Sequence, residues 1–139
     1  MSSYLIIDGY NLIHKWPNLI KAQQKSMEFA RNQLFYAIQR YCDYNHIHGI
    51  IAYDGKGSER SIEEGNPQVI FSKAKESADT VIESIVYNLK DRSCVSVATD
   101  DRVVANLVTG MGACIISSTL LAGTVFKDLP LSRKDVEIH

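Results

Sequence analysis

No stretch of this chain approaches the apolar length that spans a bilayer. Asp8 halts the opening hydrophobic run, and no basic segment leads into it, so neither a membrane anchor nor a secretory leader is expected. Charge of one sign is equally scarce. Fifteen Lys and Arg against sixteen Asp and Glu give a formal net charge of −1, which excludes a histone-like basic chain and restricts any nucleic-acid contact to focal patches. The three cysteines, Cys42, Cys94 and Cys114, form no Cys-x-x-Cys pair and have no histidine cluster nearby, so buried reduced thiols are expected. No internal repeat and no linker interrupt the sequence. At 139 residues, 45% hydrophobic and 22% charged, it has ordinary globular proportions. One cytoplasmic domain over 1–139 is expected, with a core over about 4–122 and a short tail over 123–139. The end of that tail, from Phe126 with Pro130, reads as weakly held or packed on a neighbour.

What the chain does have is five short apolar, β-prone segments: Tyr4 to Ile7, Gly49 to Tyr53, Gln68 to Phe71, Cys94 to Ala98 and Ala113 to Ile116. Between the first two, Ile20, Met27, Ala30, Leu34, Ile38 and Tyr41 recur at helical spacing and predict one long amphipathic helix. Ala78, Val81, Ile82, Ile85, Val86 and Leu89 predict a second, and Val103, Val104, Leu107 and Val108, ahead of Gly110 and Gly112, a third. Strands alternating with helices predict a mostly parallel five-stranded sheet covered on both faces, an α/β architecture. The polar, Gly-containing stretch from Lys56 to Pro67 reads as a mobile surface loop.

In such sheets ligands gather at the carboxyl ends of strands. Asp8 and Asp54 end the first two strands, and Asp100 and Asp101 follow the fourth. Asp79 and Glu83 lie four apart on one helix face with Glu76 just before them, and like charges at that spacing repel. Lys75 is placed to pair with Asp79 from the preceding turn. A divalent cation would relieve the repulsion. Mg²⁺ and Mn²⁺ take oxygen ligands, need only one or two carboxylates directly and keep waters that reach phosphates, so the inventory fits phosphate chemistry. Each acid also has a simpler use. Thr99 can cap the next helix with Asp100 and Asp101 in its first turn, Glu76 can serve a helix dipole, and Asp54 before Gly55 can be a strand-to-turn pair. Asn11 either caps the turn after Asp8 or holds Asp8 and substrate in place. His14 and Trp16 either touch a nucleobase or close a core edge, and His14 is given no catalytic role. Arg31, Lys56, Arg60, Lys73, Lys75 and Arg102 are the basic residues nearest this edge, candidates for phosphate contacts.

Asp8-Gly9-Tyr10-Asn11 after a strand, Ala30-Arg31, Tyr53-Asp54, Glu76-Ser77-Ala78-Asp79 with Glu83, and Thr99-Asp100-Asp101 together resemble the NYN domain of the YacP-like family, within the PIN-like nucleases, over about Leu5 to Leu121. The resemblance implies a three-layer α/β/α sandwich, PIN-like and Rossmann-like, and a metal-dependent endoribonuclease. It implies a metal cluster of Asp8, Asp79 and Asp101, with Asp54 and Glu83 at its margin and Asn11 orienting the first acid. A relative that cuts messenger RNA at the ribosomal A site makes the ribosome an expected partner, and the pairing of many relatives suggests a homodimer. Thr99-Asp100-Asp101 stands where the family usually has Thr-Ser-Asp, which leaves open whether Asp100 or Asp101 faces the metal. Arg102-Val103-Val104 replaces a common Glu-Gln, and the C-terminal region is shorter than in ribosome-engaging relatives.

Three other classes compete. A receiver-type phosphoacceptor would phosphorylate Asp54, but it needs adjacent acids after strand one and a lysine after strand five, where this chain has Gly9 and Ser117-Ser118-Thr119. A haloacid-dehalogenase-type phosphatase would need an acid at Tyr10. A non-catalytic RNA-binding module would bind RNA in chelator without cutting it. The favoured reading is hydrolysis of unpaired RNA with Mg²⁺ or Mn²⁺, leaving a 5′-phosphate and a 3′-hydroxyl.

Overall fold

A computed structural model describes residues 3–128. The elements in chain order are β1 (Tyr4–Asp8), α1 (Gly9–Ile13), α2 (Pro17–Gln23), α3 (Met27–Asn45), β2 (His48–Gly57), β3 (Ser61–Glu63), β4 (Gln68–Lys73), α4 (Ala78–Asn88), β5 (Val95–Ala98), α5 (Arg102–Gly110), β6 (Cys114–Ile116) and α6 (Ser118–Asp128). One six-stranded sheet has the order β3-β4-β2-β1-β5-β6, with every pairing parallel except β3 against β4. β1 lies at the centre, and its period-2 alternation divides the core. Leu5 and Ile7 face a cluster with Leu12, Ile13, Leu34, Ile38, Leu121 and Val125. Ile6 faces Val81, Ile82, Val86, Val104 and Val108. Helices α1, α2, α3 and α6 thus cover one face and α4 and α5 the other, the three-layer sandwich expected.

Several boundaries differ from the sequence reading. The stretch read as a loop carries the sixth strand: β2 continues to Gly57, and Ser61–Glu63 pairs antiparallel with β4. All three β3 residues are exposed, so no apolar alternation marks it. The long helix expected from Ile20 to Tyr41 is divided between α2 and α3, with the short α1 ahead of them. Pro17, its φ already suited to a first helical turn, starts α2, and Ser26 starts α3 by accepting from the Phe29 amide at 2.9 Å. Ile20, assigned to the core stripe, lies on α2 and is 43% exposed. α6 was not foreseen. It carries the core to Val125, and Phe126 packs its ring 5.6 Å from that of Trp16. The remaining tail, 129–139, lies outside the described residues. All three cysteines are free, but only Cys42 is buried, while Cys114 is exposed. Among the described residues no helix is long and apolar enough to cross a membrane.

Candidate active site

The carboxyl ends of β1, β2 and β5 meet the start of α4 around an open cleft of about 550 Å³, lined by Asp8, Asp54, Asp79 and Asp101 together with Tyr10, Asn11, His14, Met27, Ser77 and Ala78. Four carboxylates share this space, and among the described residues no lysine or arginine lines it.

Each acid is held differently. Asp8 ends β1 and enters α1 without capping it, so its side chain is not spent on α1's amides. It is 8% exposed and accepts one hydrogen bond, from Thr99 Oγ1 to Oδ2 at 2.9 Å. Burial pushes its pKa up to about 6, with the charges of Asp79, Asp101 and Asp54 adding and the Thr99 bond opposing. Asp79, in the first turn of α4, accepts no hydrogen bond at its carboxylate among the described residues. Its pKa is raised by burial and then by Asp101 and Asp54. Asp101 caps α5 by accepting from the Val103 amide at 2.9 Å, and Asp54 accepts from the Ala78 amide at the start of α4 at 2.7 Å. Asp8, Asp54 and Asp101 are therefore each anchored through one oxygen and keep the other.

Asp100 and Asp101 are resolved by the same geometry. Asp101 lines the cleft. Asp100 turns to α6, where the Ser118 amide donates to it at 2.8 Å and the Ser118 hydroxyl donates to its other oxygen. Partial burial pushes the Asp100 pKa up, but the Ser118 bonds and nearby Lys15 outweigh it and hold the carboxyl below its usual range. Among the described residues the Asn11 side chain makes no hydrogen bond to its own turn or to Asp8. Its Oδ1 accepts from the Asp100 amide at 2.9 Å, and Thr99 Oγ1 accepts from the Asp101 amide at 3.0 Å. Thr99 is thus no helix cap. Its hydroxyl joins the Asp101 backbone to Asp8, and Asn11 fixes the turn from the other side.

Of the other sequence candidates, His14 lines the cleft and the rest fall outside it. Glu83 is exposed one turn further along α4 and does not line it. Glu76 forms a two-pronged pair with Arg60 at 2.9 and 2.8 Å, and that guanidinium pulls its pKa down to about 2. Arg60 is thereby engaged. Lys75 has the left-handed φ of 68°, and no ion pair links it to Asp79 among the described residues. Lys56, Lys73 and Arg102 are exposed on segments around the cleft, while half-buried Arg31 donates to the Tyr10 hydroxyl at 3.2 Å. Trp16 closes a core edge, donating its indole N–H to the Ser118 carbonyl at 2.8 Å, and His14 stays exposed beside Gln23.

The donor set is all oxygen, mutually repulsive and without a basic counter-charge, the chemistry that a hard divalent cation satisfies. Among the described residues no three His, Cys, Asp or Glu groups stand close enough to cage an ion.

Comparison with known proteins bears on the fold and the family. The profile of the YacP-like NYN domain matches residues 5–136. The YacP protein of Bacillus subtilis is 34% identical over 113 residues, covering 78% of this chain and 66% of its own length, just under two thirds. The crystal structure of Bacillus subtilis Rae1 (YacP) superposes with a TM-score of 0.76 at 30% identity, over 99% of this chain and 78% of that one. A tryptophan-to-leucine variant of it gives 0.78 at 31% identity, over 91% and 76%. The chain belongs to the YacP-like NYN domain family.

Proposed function

We propose that the protein is a divalent-metal-dependent endoribonuclease acting on unpaired RNA, with messenger RNA as the candidate substrate. The observation that carries this reading is the cleft itself: four carboxylates on three adjacent strand ends and a helix start, with no cation among the residues that line it. Asp8, Asp79 and Asp101 would hold Mg²⁺ or Mn²⁺, with Asp54 at the margin. When bound, such an ion stabilises charge on the phosphoryl oxygens and makes water easier to deprotonate. The chain's own residues set the geometry. Thr99 holds Asp8, Asn11 and Ser118 fix Asp100 so that Asp101 turns inward, and Lys73, Lys75 and Arg102 are free to meet flanking phosphates. Water attacks phosphorus in line and gives up a proton, and the 3′-oxygen leaves and takes one, giving a 5′-phosphate and a 3′-hydroxyl. Unpaired RNA suits an open cleft, because a flexible strand brings a phosphate down to the carboxylates more readily than an A-form duplex.

The test is cleavage of an end-labelled, unstructured RNA with Mn²⁺, with Mg²⁺ or in excess chelator, by the native chain and by Asp8→Asn. Metal-dependent cutting lost in Asp8→Asn is the expected outcome. RNA left intact with every metal overturns the reading, and binding that persists in chelator would then identify a non-catalytic RNA-binding module.

A further inference from the structure

Beside the carboxylate cleft, a second cavity of about 420 Å³ opens between α3 and the β2–β4 side of the sheet, a volume in the range of small-ligand sites. A row of rings joins the two. Tyr10 lines the cleft and lies 4.7 Å, centroid to centroid, from Tyr53; Tyr53 in turn stacks on Phe71 at 5.1 Å, and both line the second cavity. Arg31 spans the junction, donating to the Tyr10 hydroxyl and placing its guanidinium 5.7 Å from the Phe71 ring centre. Tyr36 stands at the opposite wall, 58% exposed. Tyr53 is only 2% exposed, yet its hydroxyl has no hydrogen-bond partner, a costly state for a buried polar group.

The charges in this cavity exclude a phosphate site. Among the described residues two carboxylates, Glu28 and Glu63, line it against one cation, Arg31, so its net charge is negative. Carboxylates accept hydrogen bonds from the N–H groups on the edge of a nucleobase, and aromatic and guanidinium planes stack on its faces. We infer that the cavity between α3 and β4 is a subsite for one unstacked nucleobase of the RNA strand, next to the phosphate over the carboxylate cleft. The subsite rests on the ribonuclease reading of that cleft and adds a reason for preferring unpaired RNA: the base must leave its stack to enter.

The experiment uses the full chain carrying Asp8→Asn, with Mg²⁺ present, and a single-stranded RNA in which 2-aminopurine replaces one base at a time. Expected is fluorescence quenching confined to one position, with affinity for that RNA about tenfold weaker in chains also carrying Tyr36→Ala, the loss of one base–aromatic stack. Tyr36 is exposed, so this variant keeps its fold. Glu63→Gln replaces a lining carboxylate by a weaker acceptor and should weaken binding at the same position, without changing the affinity of an RNA that is abasic there. Quenching at no position, or affinity unaltered by both substitutions, overturns the subsite even when the native chain cuts RNA. Position-limited quenching that Tyr36→Ala weakens upholds it, even when no cleavage is found and the ribonuclease reading fails.

Discussion

The Thr99 hydroxyl donates to Asp8 Oδ2 at 2.9 Å, a buried contact between residues 91 apart in sequence, while accepting from the Asp101 amide two residues on. This one side chain ties the ends of β1 and β5 together at the point where the acids converge. Replacing it by the near-isosteric Val removes both bonds at a site 2% exposed. Thr99→Val should cost about 1–3 kcal/mol in urea unfolding. It should also raise the Asp8 pKa above its value of about 6, because the bond it removes favours the carboxylate. The acid limb of the pH–rate profile should move up with it, and Thr99→Ser should restore both. An unmoved limb would separate Asp8 from the rate.

Asp8 is a source of instability at neutral pH. Its folded pKa of about 6 exceeds the ordinary 3.8, so between these values the folded state binds more protons than the unfolded, and stability falls as pH rises. The penalty is complete above about pH 6 and absent below about pH 4. Asp8→Asn, neutral throughout, should escape it. Relative to the native chain, the variant should gain up to about 3 kcal/mol between pH 4 and pH 7.5, measured without metal by denaturant unfolding at each pH. Activity should be lost in the same variant. A stability difference that does not change with pH would show that Asp8 ionises freely.

Much of this arrangement is legible in the sequence, and the illegible part has physical causes. Apolar runs announced five strands, of which β1, β2, β4 and β5 lie inside the sheet, since a strand covered on both faces is hydrophobic throughout. β3 was hidden because Ser61, Ile62 and Glu63 form an exposed edge. The acids could be counted but not aimed. Adjacent Asp100 and Asp101 differ only in partners, and Ser118, which turns Asp100 away, lies 18 residues downstream. Asn11 and Thr99 offered caps by residue type, yet each serves a contact about 90 residues away. The reason for glycine between Asp8 and Tyr10 was equally invisible: a Cβ there would collide with the Tyr53 ring.

That collision gives a sharp test of the β1–α1 corner. Gly9 is buried, and the atoms a methyl group would meet belong to a ring that is itself 2% exposed and flanked by Tyr10 and Phe71. The ring has little room to yield. Gly9→Ala should cost about 1–3 kcal/mol from overpacking and shift the neighbouring Asp8. A second substitution, Tyr53→Leu, should recover part of that loss by vacating the space, which a double-mutant cycle of unfolding free energies would show as coupling. Additive losses would mean that the corner relaxes without Tyr53.

Divalent metal should act on stability through the same acids, and its pattern across variants can separate Asp100 from Asp101. An ion that binds the folded cleft and not the unfolded chain adds RT ln(1 + [L]/Kd), about 2.7 kcal/mol at a hundredfold excess over Kd. Mn²⁺ should therefore raise the Tm of the native chain at pH 7.5, and chelator should reverse the rise. Below pH 6 the effect should shrink, because Asp8 takes up a proton that competes with the ion. Asp101→Asn, altering a carboxylate that lines the cleft, should abolish most of the shift. Asp100→Asn should lower the starting Tm, since its carboxylate holds the first turn of α6 through Ser118, but should leave the metal-induced increment intact. The reverse pattern, with the increment lost in Asp100→Asn and kept in Asp101→Asn, would assign the ligand to the acid that faces α6.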